Sequence, residues 1–187
     1  MRAGVLALQG DFREHADLLK SIGVEPILVR RAEELAGIEA LVIPGGESTT
    51  IGKLADRYGL LEPLRQTVRS GIPVLGTCAG LIFLATGTTG PAQVHLGVLD
   101  VVVERNAFGR QVDSFESALD VVGMDEPLHA VFIRAPVVDK VGAEVEVLAS
   151  VDDNPVMVRQ GAIVATSFHP ELTGETRVHK LMLNQEG

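Results

Sequence analysis

Short apolar runs alternate with amphipathic stretches over the first two-thirds of the chain. Gly4-Val5-Leu6-Ala7-Leu8 is a continuous apolar run of strand length. Continuous runs, unlike alternating ones, suit strands covered on both faces, as in parallel sheets. The period then changes. Phe12, Ala16, Leu19 and Ile22 recur at helical spacing and Gly23 follows where a helix stops, so the pattern predicts a helix over residues 12–22. Further strands are predicted at residues 26–29, 40–43 and 73–76, with helices at 49–58 and 61–70 and a helical run at 81–85. Repeated units of this kind predict a parallel sheet with helices on both faces.

Beyond about Leu96 the pattern turns β-rich, with runs at residues 98–104, 114–122, 130–134, 145–150, 156–159 and 163–167. Gln160-Gly161 reads as a tight hairpin turn between the last two. A final amphipathic helix is predicted from Gly174 or Glu175 to Leu183. The expected fold class is α/β, a three-layer, doubly wound, mostly parallel sheet with antiparallel strands added in the second half. No repeat, low-complexity tract or linker interrupts residues 1–187, which predicts a single domain.

Composition narrows the function. The chain has 187 residues, 46% of them hydrophobic, enough for a real core. Its 16 basic and 25 acidic side chains give a net charge of −9, which argues against nucleic acid as a partner. One cysteine cannot close a disulfide within the chain. No apolar run reaches the roughly 18 residues of a membrane span, and the first residues have no signal-peptide layout. A cytoplasmic location with no membrane association is the expectation.

Three segments carry candidate chemistry, each just after a predicted buried strand. In Gly76-Thr77-Cys78-Ala79-Gly80 a cysteine sits between small residues at a strand-to-helix turn, the layout of a nucleophile elbow. The following helix start favours a thiolate, and the N–H of Ala79 would face a developing oxyanion. A buried structural cysteine is the alternative. Among the five histidines, His15 reads as a surface residue among Arg13, Glu14 and Asp17. His95 and His129 lie in loop-like contexts with no carboxylate close in sequence, and His179 lies in the last helix beside Lys180. His169 follows an apolar strand and opens His169-Pro170-Glu171, where Glu171 can orient the imidazole. Cys78, His169 and Glu171 would make a nucleophile, base and orienter; an exposed loop with an incidental histidine is the alternative. Pro44-Gly45-Gly46-Glu47-Ser48-Thr49 is a glycine-rich turn able to aim backbone N–H groups at an anion or carbonyl, with Ser48 or Thr49 as a helix cap. It is neither a P-loop nor a dinucleotide fingerprint.

Together, in this order, the three segments resemble the class I (triad) glutamine amidotransferases, and in detail the glutaminase subunits of pyridoxal 5′-phosphate synthase. The resemblance extends to residues 5–15, Glu104-Arg105-Asn106-Ala107-Phe108-Gly109-Arg110-Gln111, Phe132-Ile133-Arg134-Ala135-Pro136 and Ser167-Phe168-His169-Pro170-Glu171-Leu172, spanning nearly the whole chain. It implies a flavodoxin-like fold and hydrolysis of L-glutamine through a thioester on Cys78. It also implies an oxyanion site at Gly46 and Ala79, glutamine contacts at Gly46, Glu47, Ser48, Arg105, Ile133 and Arg134, and no cofactor. No Cys/His cluster has metal-ligand spacing, so no metal is expected. Read without the resemblance, Arg105 and Arg134 are equally well surface residues near strand ends.

The resemblance further implies a partner, a separate (β/α)₈-barrel synthase subunit in a large hetero-oligomer. That subunit would receive the ammonia and dock on Gln9, Gly10, Asp11, Phe12, Arg13 and His15. Docking would rearrange the Pro44-Gly45-Gly46 loop and complete the oxyanion site. The glutaminase of imidazole glycerol phosphate synthase usually carries Gly-Met-Gln after its elbow, whereas here Gly80-Leu81-Ile82 stands. A stand-alone cysteine hydrolase would need no partner, and a binding module would need no intact triad.

Overall fold

The first half of the chain alternates strand and helix, as its apolar pattern demands. The computed structural model describes residues 1–105 and 114–184. In chain order it has β1 (Arg2–Leu6), α1 (Phe12–Ser21), β2 (Glu25–Val29), a 3-10 turn at Ala32–Leu35 and β3 (Ala40–Ile43). These are followed by α2 (Ser48–Arg57), α3 (Leu61–Arg69), β4 (Val74–Thr77) and α4 (Ala79–Leu84). The second half is β5 (Ala85–Thr89), β6 (Leu99–Glu104), β7 (Ser114–Leu119), β8 (Leu128–Ile133), β9 (Val137–Val141), β10 (Glu146–Val151), β11 (Asn154–Gln160) and β12 (Ile163–Thr166). A 3-10 turn at Pro170–Leu172 and α5 (Thr176–Met182) complete the described chain.

The main sheet has seven strands in the order β10-β11-β12-β4-β3-β1-β2. From β12 to β2 every pairing is parallel, and β11 and β10 extend that edge antiparallel. The parallel part is the flavodoxin-like doubly wound order, with its reversal between β1 and β3. Strand residues alternate between two cores. Leu41 and Ile43 face one side with Ile51 and Ala55 of α2, Leu64 of α3 and Phe83 of α4. Ala40 and Val42 face the other with Leu19 of α1 and Val178 of α5. The fold is therefore α/β with helices on both faces and antiparallel strands added late.

Two strands depart from the expected pattern. The helical run at 81–85 stops at Leu84, and Ala85–Thr89 pairs with β6. Its sequence, Ala-Thr-Gly-Thr-Thr, has no apolar run to announce it. Val137–Val141 joins the same small sheet from the other edge of β6. The expected hairpin at Gln160-Gly161 is present, with Gly161 at φ 55° and Gln160 paired to Ile163. Asn106-Ala107-Phe108-Gly109-Arg110-Gln111 of the resembling motif lie outside the described residues.

Candidate active site

Four loops converge at the carboxyl ends of β1, β3, β4 and β12, where open parallel sheets place their sites. β4 runs straight into Cys78, which has φ 48° and ψ −101° and precedes α4. Residues other than glycine seldom adopt positive φ, and such strain marks a nucleophile elbow. The turn is held by the Cys78 N–H, which donates to the Thr166 carbonyl at 2.7 Å. Its small neighbours are required by space. A Cβ on Gly80 would overlap the Ile43 carbonyl oxygen, and one on Gly76 would stand 2.5 Å from Leu84 Cδ1.

His169 and Glu171 meet Cys78 there. His169 Nδ1 lies 2.6 Å from Glu171 Oε1, and the Cys78 side chain is near enough to the ring to act on its charge. All three are buried. Burial alone would lower the His169 pKa, but the neighbouring Cys78 side chain and the hydrogen-bonded Glu171 carboxyl raise it to about 10. Burial raises the Glu171 carboxyl, partly offset by the His169 hydrogen bond. Asp11, from the loop after β1, brings Oδ2 to 3.5 Å from His169 Nδ1. Asp11, His169 and Glu171 are the one set of three potential metal ligands found among the described residues, with ligand atoms within 4.8 Å of one another. Nδ1 is already committed to Glu171, so the set orients the ring.

The loop after β3 packs against these groups. A Cβ on Gly45 would come within 2.5 Å of His169 Cε1, and one on Gly46 (φ 151°) would overlap Gln9 Oε1. Gln9 Oε1 also accepts from the Glu47 N–H at 2.6 Å. Glu47, and neither Ser48 nor Thr49, caps α2, because its carboxylate reaches the Thr49 and Thr50 N–H groups. Slight burial raises its pKa, but the Thr50 hydroxyl and those N–H groups outweigh this and hold it at about 2. Arg105 Nη2 is 3.6 Å from Glu47 Oε1, and its Nη1 is 3.3 Å from Gln93 Oε1. Gln93 Oε1 also accepts from Ser48 Oγ at 3.2 Å. Glu47, Ser48 and Arg105 are thus brought together through a residue that no sequence signal marked.

The chain matches the SNO glutamine amidotransferase family over residues 5–186. It belongs to that family. The pyridoxal 5′-phosphate synthase subunit PdxT of Frankia casuarinae is 60% identical over 98% of this chain and 94% of its own. The protein of the same name from Thermus thermophilus is 58% identical over 98% and 97%. A solved structure of a glutamine amidotransferase superposes with a TM-score of 0.93 at 56% identity, covering 98% of this chain and 97% of that one. PurLQS from Thermotoga maritima, at 19% identity and a TM-score of 0.73 over 98% and 97%, shares the fold.

Some residues of this SNO family chain stand apart from their expected places. His15 is fully buried rather than on the surface, so it cannot itself touch a docked partner. It lies one turn before Leu19 on the inner stripe of α1, while Arg13, Glu14 and Asp17 point outward. The other docking candidates fare differently: Gln9, Gly10, Asp11 and Phe12 are half-buried and Arg13 is exposed. His129 lies within β8, not a loop, and its Nε2 is 2.7 Å from Glu116 Oε2 across the β7–β8 pair. His95 donates through Nδ1 to the Ile82 carbonyl at 2.8 Å. Ile133 ends β8 and Arg134 follows it, and the Val131 carbonyl of that strand accepts from the His169 N–H. Arg134 has φ 43° and makes no ion pair among the described residues. The Ala79 N–H opens α4. No helix among the described residues is long and apolar enough to cross a membrane.

Proposed function

We propose that this chain hydrolyses L-glutamine to L-glutamate and ammonia and hands the ammonia to a separate synthase subunit that makes pyridoxal 5′-phosphate. One observation carries the reading. A cysteine on a strained elbow adjoins a histidine whose Nδ1 is 2.6 Å from a buried glutamate, in a chain of the SNO glutamine amidotransferase family.

The chemistry follows from the positions. With His169 held as imidazolium, the Cys78 sulfur attacks the side-chain amide carbon of glutamine. The carbonyl electrons move to oxygen, which the N–H groups of Gly46 and Ala79 receive. The tetrahedral adduct collapses and the C–N bond breaks. The departing nitrogen takes the Nε2 proton of His169 and leaves as ammonia. His169, now neutral, accepts a proton from water as its oxygen attacks the thioester. Collapse of the second adduct breaks the C–S bond, releases glutamate and restores the sulfur–imidazolium pair. Glu171 holds the ring in one tautomer throughout. Arg105 and Arg134 offer guanidinium groups to the substrate α-carboxylate, with Glu47, Ser48 and Ile133 shaping the rest of the pocket.

The barrel-type synthase subunit docks on the loop after β1 and the outer face of α1, and the pair works in the cytoplasm. The test is direct. Cys78→Ala is expected to abolish glutamine hydrolysis, followed as glutamate formation in the complex. Hydrolysis at the unsubstituted rate would overturn the assignment.

A further inference from the structure

A buried pair of imidazoles lies behind the triad, and the mechanism above does not use it. His15 Nδ1 and His179 Nε2 are 2.9 Å apart, and both residues have no exposed surface. The other nitrogen of His15, Nε2, stands between two oxygens, 3.0 Å from Thr77 Oγ1 and 3.3 Å from Glu171 Oε2. Thr77 Oγ1 accepts from the Gly45 N–H at 3.0 Å. One ring therefore adjoins both the third triad member and the hydroxyl that holds the oxyanion loop.

Burial pushes both rings down, His15 well below its ordinary value and His179 to about 4, so both are neutral at pH 7. A neutral imidazole has one N–H and one lone pair. Glu171 Oε2 is buried and makes no hydrogen bond of good geometry among the described residues. A bare Nε2 on His15 would set a lone pair against that carboxylate, so the hydrogen belongs on Nε2. His15 Nδ1 is then an acceptor, and the His179 Nε2–H donates to it. His179 Nδ1 makes no hydrogen bond of good geometry among the described residues, which leaves the His179 hydrogen free to sit on Nε2.

We propose that His15, with its tautomer set by His179, is a positioning residue that aims Glu171 at His169 and fixes Thr77 against the Gly45 loop. The inference rests on the triad reading. The ionisable groups around it are His179 from α5, His169 and Glu171 from the segment after β12, Asp11 beside His169, and Cys78 at the elbow. Among the described residues no lysine or arginine ion-pairs with Glu171. Its second oxygen depends on the His15 dipole.

His15→Phe keeps the ring volume and removes both nitrogens. Glutamine hydrolysis in the complex is expected to lose about ten-fold in kcat. The acid limb of its kcat/KM–pH profile should move up by about one unit, because ionised Glu171 loses its neighbouring donor. KM should stay within about two-fold, since His15 does not touch the substrate pocket. His15→Gln returns an N–H near the Nε2 position and should restore most of both effects. His179→Phe should shift the limb in the same direction by less. A folded His15→Phe protein with unaltered kcat and acid limb overturns the proposal. So does a loss of kcat that His15→Gln fails to restore and that leaves the limb in place, which would make the pair packing alone. Cys78→Ala, assayed alongside, separates this outcome from failure of the triad itself.

Discussion

Cys78 keeps its positive φ because the residues around it leave no alternative. Its N–H is tied to Thr166, and the helix that follows begins at once. Gly80 lets that helix lie against the end of β3, where a Cβ would overlap the Ile43 carbonyl oxygen. Both sides of this contact are backbone within regular elements, so neither yields cheaply. Gly80→Ala is expected to cost on the order of 2–3 kcal/mol in urea unfolding and to reduce glutamine hydrolysis. Gly87→Ala is the control. Its Cβ would meet nothing within 4 Å, and its cost should stay within about 0.5 kcal/mol. Equal losses at the two positions would show that crowding at the elbow is not what fixes Gly80.

Among the elements, α1 and α5 share one buried polar contact, the His15–His179 pair. Its effect on stability with pH has a definite sign. Both folded pKa values lie below the ordinary 6.5, so as pH falls below 6.5 the unfolded chain binds protons that the folded chain refuses, down to about 4 in the case of His179. Stability from the pair is complete above 6.5 and is lost as pH falls, the His179 share by about 4. Glu171, whose folded pKa is raised, acts oppositely as pH rises above 4.5. The comparison with His179→Phe isolates the histidine part. The variant's urea midpoint should fall less steeply from pH 6.5 to 4.5 than the parent's, and parallel slopes would refute the assignment. This pair also shows where reading the sequence stops. Cys78, His169 and Glu171 were legible because each sits at a local signal, a strand end with its own turn residues. His15 was not, because its contacts are 62 and 164 residues away in the chain and its neighbours in sequence are charged. The same reason hid Gln93. The parallel strands stand out as apolar runs, whereas β5 is mostly threonine and glycine and, among the described residues, joins its sheet only through β6.

At the scale of the whole molecule, the four site loops lie at one end of the sheet, and the loop after β1 joins that site to an outer helix face. Gln9 lies on Gly46, Asp11 faces His169, and the Asp11 N–H donates to the Gly45 carbonyl at 3.1 Å. Arg13, Glu14 and Asp17 on α1 point outward. A subunit bound to that face would therefore press on the Gly45-Gly46 loop within a few residues of its own contacts. On a chain of net charge −9, Arg13 is an exposed cation beside Glu14 on α1, and its guanidinium lies 5.8 Å from the Phe12 ring centroid. Reversing that charge changes the proposed docking face without entering the core. Addition of the synthase subunit should raise glutamine turnover by the parent chain. Arg13→Glu should weaken that stimulation, so that a several-fold higher subunit concentration is needed for half-maximal effect. Titrating the synthase subunit against glutamate formation measures both quantities. Superimposable titration curves for the two chains would remove Arg13 from the docking surface, and no stimulation of either would favour a hydrolase that acts alone.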